Sequence, residues 1–266
     1  MARVKVYLSV DIEGCAGITH WDEARKPHPD YAEFREIMTG EALAAIEGAR
    51  NAGATEIVVK DAHSSARNLI LDRLPADIEV IRGWEGDPFC MVQGLDRSFD
   101  AVGMIGYHAA AGSEANALAH TLTLAAIEIR LNGAPASEFL VHALAAATVG
   151  VPVAFVSGDA GLMAEIAETA PGVTRCAVKQ GFGASTRSMT PAGARAAIRD
   201  GMARALRNPG SPMPLADHWR LEVTYGDPVL AARHRHYPGA RHSGPRTITL
   251  ETDTYGDVLR ALRYVT

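Results

Sequence analysis

Four side chains with metal-binding or acid–base chemistry directly follow apolar runs of the sequence. Asp11 and Glu13 come two residues apart after the first run, and in extended backbone such residues project from the same face. His63 follows the second run, and His108 follows a later one. If the runs are parallel strands, their carboxyl ends meet at one edge of the sheet, where ligands bind in open α/β sheets. These four residues are therefore the first candidates for a functional site.

Taken alone, each of these residues has an ordinary structural role. An aspartate after a strand is usually a turn or helix-capping residue, and a histidine is usually a hydrogen-bonded polar residue. Together, two carboxylates and two imidazoles would repel and desolvate one another unless a cation joined them. Such ligands suit zinc, with manganese, iron or cobalt as alternatives. They could also hold two ions about 3.5 to 4 Å apart, with Asp11 as the bridge.

Two further residues have weaker claims on the sequence pattern alone. His120 lies in Ala-His-Thr, among small and apolar neighbours. Glu138 opens an alanine-rich segment, and its simplest role is that of a first-turn glutamate that complements the helix dipole. The alternative for Glu138 is a fifth metal ligand.

The elements that must position these residues follow from hydrophobic periodicity. Apolar β-branched runs alternate with longer segments of helical spacing, which predicts an α/β fold with a mostly parallel sheet flanked by helices. Asn132-Gly133 between two extended segments predicts an antiparallel hairpin excursion from this pattern. We expect strands at 4–10, 56–60, 80–82, 101–107, 153–157 and 176–178, and helices at 30–52, 138–148, 160–169 and 191–206.

The proline-rich segment 207–218 is the best linker candidate, so we expect a metal-binding catalytic domain over 1–206 and a small C-terminal α+β subdomain over 207–266. The smaller unit would contain strands at 221–224 and 247–251 and a helix at 255–264. We interpret the mixed His and Arg residues of 233–246 as a solvated loop.

Composition excludes several classes of protein. The chain has 266 residues, 47% of them hydrophobic, and a formal net charge of −5, which indicates a folded protein and argues against a nucleic-acid partner. We expect the N-terminal apolar run to be a strand and not a signal peptide, and we expect no membrane span, because no apolar stretch approaches the length that one requires. Three widely spaced cysteines favour a reducing, cytoplasmic location.

The order of several short motifs resembles that of a known family. The chain is similar to the M55 metallopeptidases, the D-aminopeptidases, over nearly its whole length. The main motifs are SVDIEG at 9–14, DAHSS at 61–65, GYHA at 106–109, AHT at 119–121 and SE at 137–138. Supporting segments are MVQGLD at 91–96, NGAPASE at 132–138, AVKQ at 177–180 and SMTPAGA at 188–194.

The resemblance implies a zinc-dependent aminopeptidase with two ions per chain. It implies His120 as the catalytic residue and the following metal ligands, with Asp11 as the bridge: Asp11, Glu13, His63, His108 and Glu138. It further implies short peptide substrates with N-terminal D-residues, such as D-Ala-D-Ala, and a ring-shaped homo-oligomer, a decamer of two stacked pentamers. Departures from the familiar pattern are Thr121 in place of serine, Ser137 in place of glycine, and the loop 181–183, which bears on substrate preference.

The implied mechanism is attack by a metal-activated water. His120 would act as proton shuttle, as hydrogen-bond donor to the oxyanion, or as nucleophile. Lys179 and Arg187 could meet a peptide carboxylate or be solvated loop charges. Two alternative functions stay open: another binuclear metal-dependent hydrolase that cleaves a different amide or a phosphate ester, and a non-catalytic metabolite-binding or shell-forming protein.

Overall fold

The computed structural model describes residues 4–266 and contains two β-sheets. Strands in chain order are β1 (Lys5–Val10), β2 (Glu56–Asp61), β3 (Glu79–Ile81), β4 (Ala101–Tyr107), β5 (Ala126–Leu131), β6 (Ala134–Pro135), β7 (Val153–Asp159), β8 (Thr174–Phe182), β9 (Ser185–Ser188), β10 (Trp219–Tyr225), β11 (Ala240–Gly244) and β12 (Thr247–Thr252). Helices are α1 (Trp21–Ala24), α2 (Tyr31–Asn51), α3 (Glu138–Thr148), α4 (Ala160–Thr169), α5 (Pro191–Ala205), α6 (Pro228–His234) and α7 (Tyr255–Val265). Within 4–266, no helix has the length and apolarity that crossing a membrane requires.

The larger sheet has seven strands in the order β3-β2-β1-β4-β7-β8-β9. All neighbours are parallel except β9, which forms an antiparallel hairpin with β8. The predicted α/β fold with a mostly parallel sheet flanked by helices is confirmed. The order places β1 next to both β2 and β4, so the residues that follow these three strands must lie side by side.

Alternating side chains of β1 enter two different hydrophobic cores. Leu8 and Val10 belong to the core beneath α2 and α5, whereas Tyr7 belongs to the core that includes α3 and the second sheet. Both faces of the sheet are therefore covered, which explains why its central strands are continuous apolar runs rather than alternating ones.

The second sheet is antiparallel, in the order β11-β12-β10-β5-β6. The predicted hairpin is confirmed: Asn132 and Gly133 have φ values of 49° and 84°, as a tight two-residue turn between strands requires. Because β5 pairs with β10, this sheet combines strands from both sides of residue 207. The division into 1–206 and 207–266 stays a prediction.

The structure contains four helices and strands that the sequence pattern did not indicate: α1, β9, α6 and β11. Residues 174–188 form the β8–β9 hairpin, so the predicted short strand 176–178 is longer, and the segment 181–183, expected to be a loop, is the end of β8 and the first residue of the turn. The segment 233–246, expected to be a loop throughout, contains β11 and the end of α6. β11 is an edge strand with three consecutive exposed polar residues, and such a strand has the composition of a loop, so the sequence pattern does not reveal it.

Candidate metal centre

Asp11 lies at the centre of the group of side chains at the carboxyl ends of β1, β2 and β4. Its Oδ1 is 3.3 Å from His63 Nδ1, and its Oδ2 is 3.5 Å from His108 Nε2. Glu13 Oε2 lies 3.0 Å from the same His63 Nδ1. The four side chains predicted to meet at this edge do meet, and each carboxylate oxygen of Asp11 faces a different imidazole.

Glu138 and His120 join this group from outside the main sheet. Ser137 caps α3 by accepting a hydrogen bond from Leu140 N, which fixes Glu138 in the first turn. Glu138 Oε2 lies 3.3 Å from His108 Nε2, and Oε1 accepts a 2.7 Å hydrogen bond from Leu122 N. The His120 ring stacks on the His108 ring at 4.4 Å, with its Nε2 3.6 Å from Glu138 Oε1.

Each of the three imidazoles uses one nitrogen to donate to a backbone carbonyl. His63 Nε2 lies 2.7 Å from Ala24 O, and His108 Nδ1 lies 3.0 Å from the carbonyl of the next residue. His120 Nδ1 lies 2.9 Å from Leu118 O. A carbonyl can only accept, so the proton of each neutral ring is on that nitrogen, and the lone pair of the other nitrogen faces the carboxylates. Metal-binding histidines are held in this way.

Buried atoms without hydrogen-bond partners identify the same centre. In the described range, Glu13 Oε2 and His108 Nε2 are two of three such side-chain atoms. Burial alone would lower the pKa of His108, but the charges of Glu138 and Asp11 raise it to about 10. Burial likewise opposes the ionised form of Glu138, yet His108 holds the pKa of that carboxyl at about 2. The carboxylates thus stabilise positive charge at this position, which protons or a metal ion can supply.

Two sets of donors satisfy the distance requirement for a metal ion. Asp11, Glu13 and His63 form one set, and the other contains His108, Glu138 and His120, with the donor atoms of each set within 4.8 Å of one another. The carboxylate-and-imidazole chemistry of both sets suits zinc and related transition metals. We name the first set subsite A and the second subsite B.

A cavity of about 330 Å³ opens onto both subsites. Its remaining wall includes Trp21, Trp84, Leu122, Arg25 and Arg263. The His120 side chain is 14% exposed, compared with at most 7% for those of the other five residues. His120 is thus the member of the cluster that is most accessible from the cavity.

Comparison with known proteins agrees with the geometry. The family model of the M55 peptidases, described as D-aminopeptidase, matches residues 4–264. This chain belongs to the M55 family. A D-aminopeptidase of Bacillus subtilis (strain 168) is 34% identical to it over 238 residues, 88% of this chain and 82% of that protein. A solved structure, the Zn-dependent D-aminopeptidase DppA from Bacillus subtilis, a self-compartmentalizing protease, superposes with a TM-score of 0.93 at 30% identity, covering 98% of this chain and 96% of that one.

Several residues that hold the cluster in this M55 protein were missed in the sequence. Asn68 donates to the carbonyl of His63 and to Asp61 Oδ1, and its own oxygen accepts a hydrogen bond from Tyr31 Oη. Asn116 donates to the carbonyl of Glu13 at 3.2 Å. Nothing in the local sequence marks these side chains: the Tyr31 partner of Asn68 and the Glu13 partner of Asn116 are distant in the chain, and the contacts of Asn68 with Asp61 and His63 depend on the path of the loop between them. A buried polar residue with several such partners becomes recognisable only in the folded structure.

Proposed function

We propose that this chain is a zinc-dependent aminopeptidase that hydrolyses short peptides with an N-terminal D-amino acid. The observation that carries the proposal is the pair of donor sets that meet at Asp11 beside a cavity. Support for the peptidase activity comes from membership of the M55 family and from likeness to a Zn-dependent D-aminopeptidase.

The metal-binding roles are assigned residue by residue. Asp11, Glu13 and His63 would hold one ion, while His108 and Glu138 would hold the second, with Asp11 contributing one oxygen to each. Bound zinc lowers the pKa of a coordinated water and polarises the carbonyl of the substrate. In the neutral rings, the hydrogen bonds from the imidazoles to carbonyls place the proton on the outer nitrogen and aim the other nitrogen inward.

His120 would act on the substrate rather than hold a metal ion. The neighbouring oxygen, Glu138 Oε1, already accepts the amide of Leu122, whereas Glu138 Oε2 faces His108. His120 Nε2 is therefore the nitrogen that can exchange a proton or donate a hydrogen bond at the scissile bond. Its ring orientation is fixed by Leu118 O on one side and by the edge-on Trp21 ring at 5.3 Å.

The cavity volume suits a short peptide, and D-Ala-D-Ala is the simplest candidate. We also propose a homo-oligomeric ring, a decamer of two stacked pentamers, with support from the likeness to a self-compartmentalizing protease. A cytoplasmic location is supported by the three free cysteines, Cys15, Cys90 and Cys176.

The test is hydrolysis of D-Ala-D-Ala and L-Ala-L-Ala by one purified sample, before and after chelation and after zinc is restored. We expect cleavage of the D-peptide, its loss on chelation and its return with zinc. If the protein binds metal but cleaves neither peptide, its substrate is a different amide or an ester. Absence of both metal binding and cleavage would favour a non-catalytic protein.

A further inference from the structure

The segment 11–18, which follows β1 and carries two of the proposed ligands, is fixed mainly through its backbone. Its amides donate to neighbouring groups: Gly14 N to the carbonyl of Gly106, and Gly17 N to Ser188 Oγ. The carbonyls of this segment also need hydrogen-bond donors. The surrounding strands offer few backbone donors, because their amides already donate within the sheet.

Lys179 of β8 supplies these donors. Its ammonium donates to Glu13 O at 2.5 Å and to Ile18 O at 2.7 Å, so one side chain links two carbonyls five residues apart. Asn116 Nδ2 donates to the same Glu13 carbonyl and is itself held by Asp159 Oδ2 at 2.9 Å. The backbone of Glu13 is thus fixed from two directions.

Burial shows that Lys179 is neither a solvated loop charge nor available to a peptide carboxylate. The residue is 4% exposed, and within residues 4–266 it forms no ion pair with a carboxylate. Burial of an ammonium is unfavourable for folding. The two hydrogen bonds to carbonyls offset part of this cost, because an apolar side chain here would leave the Ile18 carbonyl without this donor.

We infer that Lys179 is a positioning residue for subsite A: by holding the carbonyls at both ends of the segment 13–18, it fixes the direction of the Glu13 carboxylate. This inference rests on the proposed metal-binding function. Residues that orient metal ligands typically change metal affinity by about 10- to 100-fold when they are replaced. The proposed ligands His108 and Glu138 of subsite B follow β4 and begin α3, outside the segment 13–18, so zinc binding there should change little.

The test is a titration of metal-free full-length protein with Zn²⁺ against a chromophoric chelator. Wild type is expected to bind two equivalents. Lys179→Met keeps an unbranched side chain, one atom shorter, and removes its donors; it should weaken one equivalent by about 10- to 100-fold while the other stays within about threefold. Lys60→Met is the matched control, because Lys60 is also buried but donates to the carbonyl of Gly83, outside the cluster.

A double-mutant cycle distinguishes positioning from general weakening of the fold. Glu13→Gln should weaken the same equivalent, and Lys179→Met should add little in its presence because the carboxylate to be positioned is gone. Equal weakening of both equivalents by Lys179→Met, fully additive losses, or unchanged affinity would overturn the inference. If Lys179→Met does not fold, Lys179→Gln is the second variant; its side-chain amide ends one bond closer to the backbone than the lysine ammonium. This variant should weaken the same equivalent, and unchanged affinity would overturn the inference. A wild-type protein that binds no zinc would instead overturn the proposed centre.

Discussion

Replacing Asp61 by asparagine tests how the fold holds His63. The buried Asp61 carboxylate accepts three hydrogen bonds: Oδ2 accepts the amides of Asn68 at 2.5 Å and Leu69 at 2.8 Å, and Oδ1 accepts Asn68 Nδ2 at 2.7 Å. Asn68 in turn donates to the carbonyl of His63. Asp61→Asn keeps the shape of the side chain but removes its charge and turns one acceptor into a donor.

The expected cost follows from these contacts. Two hydrogen bonds change from charged to neutral acceptors, which lowers the contribution of each by about 1 kcal/mol. The third becomes a contact between two donors, and Asn68 cannot rotate its amide to compensate because its oxygen accepts from Tyr31. An unsatisfied buried donor costs about 1 to 3 kcal/mol. We therefore expect Asp61→Asn to lower the free energy of unfolding by about 3 to 5 kcal/mol, equivalent to a decrease in Tm of about 6 to 20 °C.

Urea and thermal unfolding of the metal-free protein measure this effect. Asp96→Asn is the control, because Asp96 is exposed and accepts only from Ser98 within its own turn, so its change should stay within about 0.5 kcal/mol. Zinc affinity at subsite A should fall with Asp61→Asn by about 10-fold or more, since the His63 backbone loses its support. A loss of stability below about 1 kcal/mol would refute the assigned role of this network.

Three other substitutions test separate parts of the account. His120→Ala should keep the number of bound zinc ions and the Tm but lower kcat/KM by at least about 100-fold; loss of a zinc ion, measured by elemental analysis, would instead make His120 a ligand. Asp11→Ala should weaken both zinc equivalents in the same titration, because one oxygen faces each subsite, and an effect on one alone would argue against a bridge. Gly14→Ala should lower the free energy of unfolding by more than about 3 kcal/mol in urea, because its Cβ would lie 1.8 Å from Tyr107 O. Gly172→Ala, with no atom within 4 Å of the added Cβ, should be nearly neutral, and equal effects of the two would contradict the steric reasoning.

The meeting of Asp11, Glu13, His63 and His108 could be predicted from the sequence because it depends on a general rule. Apolar β-branched runs separated by helices form parallel strands, and residues that follow such strands share one edge. The strand order then places β1 between β2 and β4. No detailed knowledge of packing was needed for this part of the site.

Glu138 and His120 could not be placed by that rule. Glu138 has the local signature of a first-turn glutamate in a capped helix, and its approach to His108 depends on how α3 packs against the main sheet. His120 lies on an irregular segment whose path depends on tertiary hydrogen bonds such as Ala111 N to Thr121 Oγ1. The sequence pattern offers a metal ligand only as an alternative role for Glu138, and the family resemblance favours that role and implies the catalytic role of His120.

Pairings between distant segments account for the remaining differences. The antiparallel pairing of β5 with β10 joins residues about 90 positions apart. The composition near residue 207 therefore carries no information about this pairing. The same applies to Lys179, whose sequence neighbourhood gives no sign that its side chain ends beneath Glu13. Burial of a lysine is rare enough that exposure is the normal expectation.

Anomalous diffraction from zinc-loaded crystals tests the central claim most directly. The account predicts two zinc peaks about 3.5 to 4 Å apart, one between Asp11, Glu13 and His63 and the other between Asp11, His108 and Glu138. A single peak, or two peaks that do not share Asp11, would contradict the proposed binuclear centre.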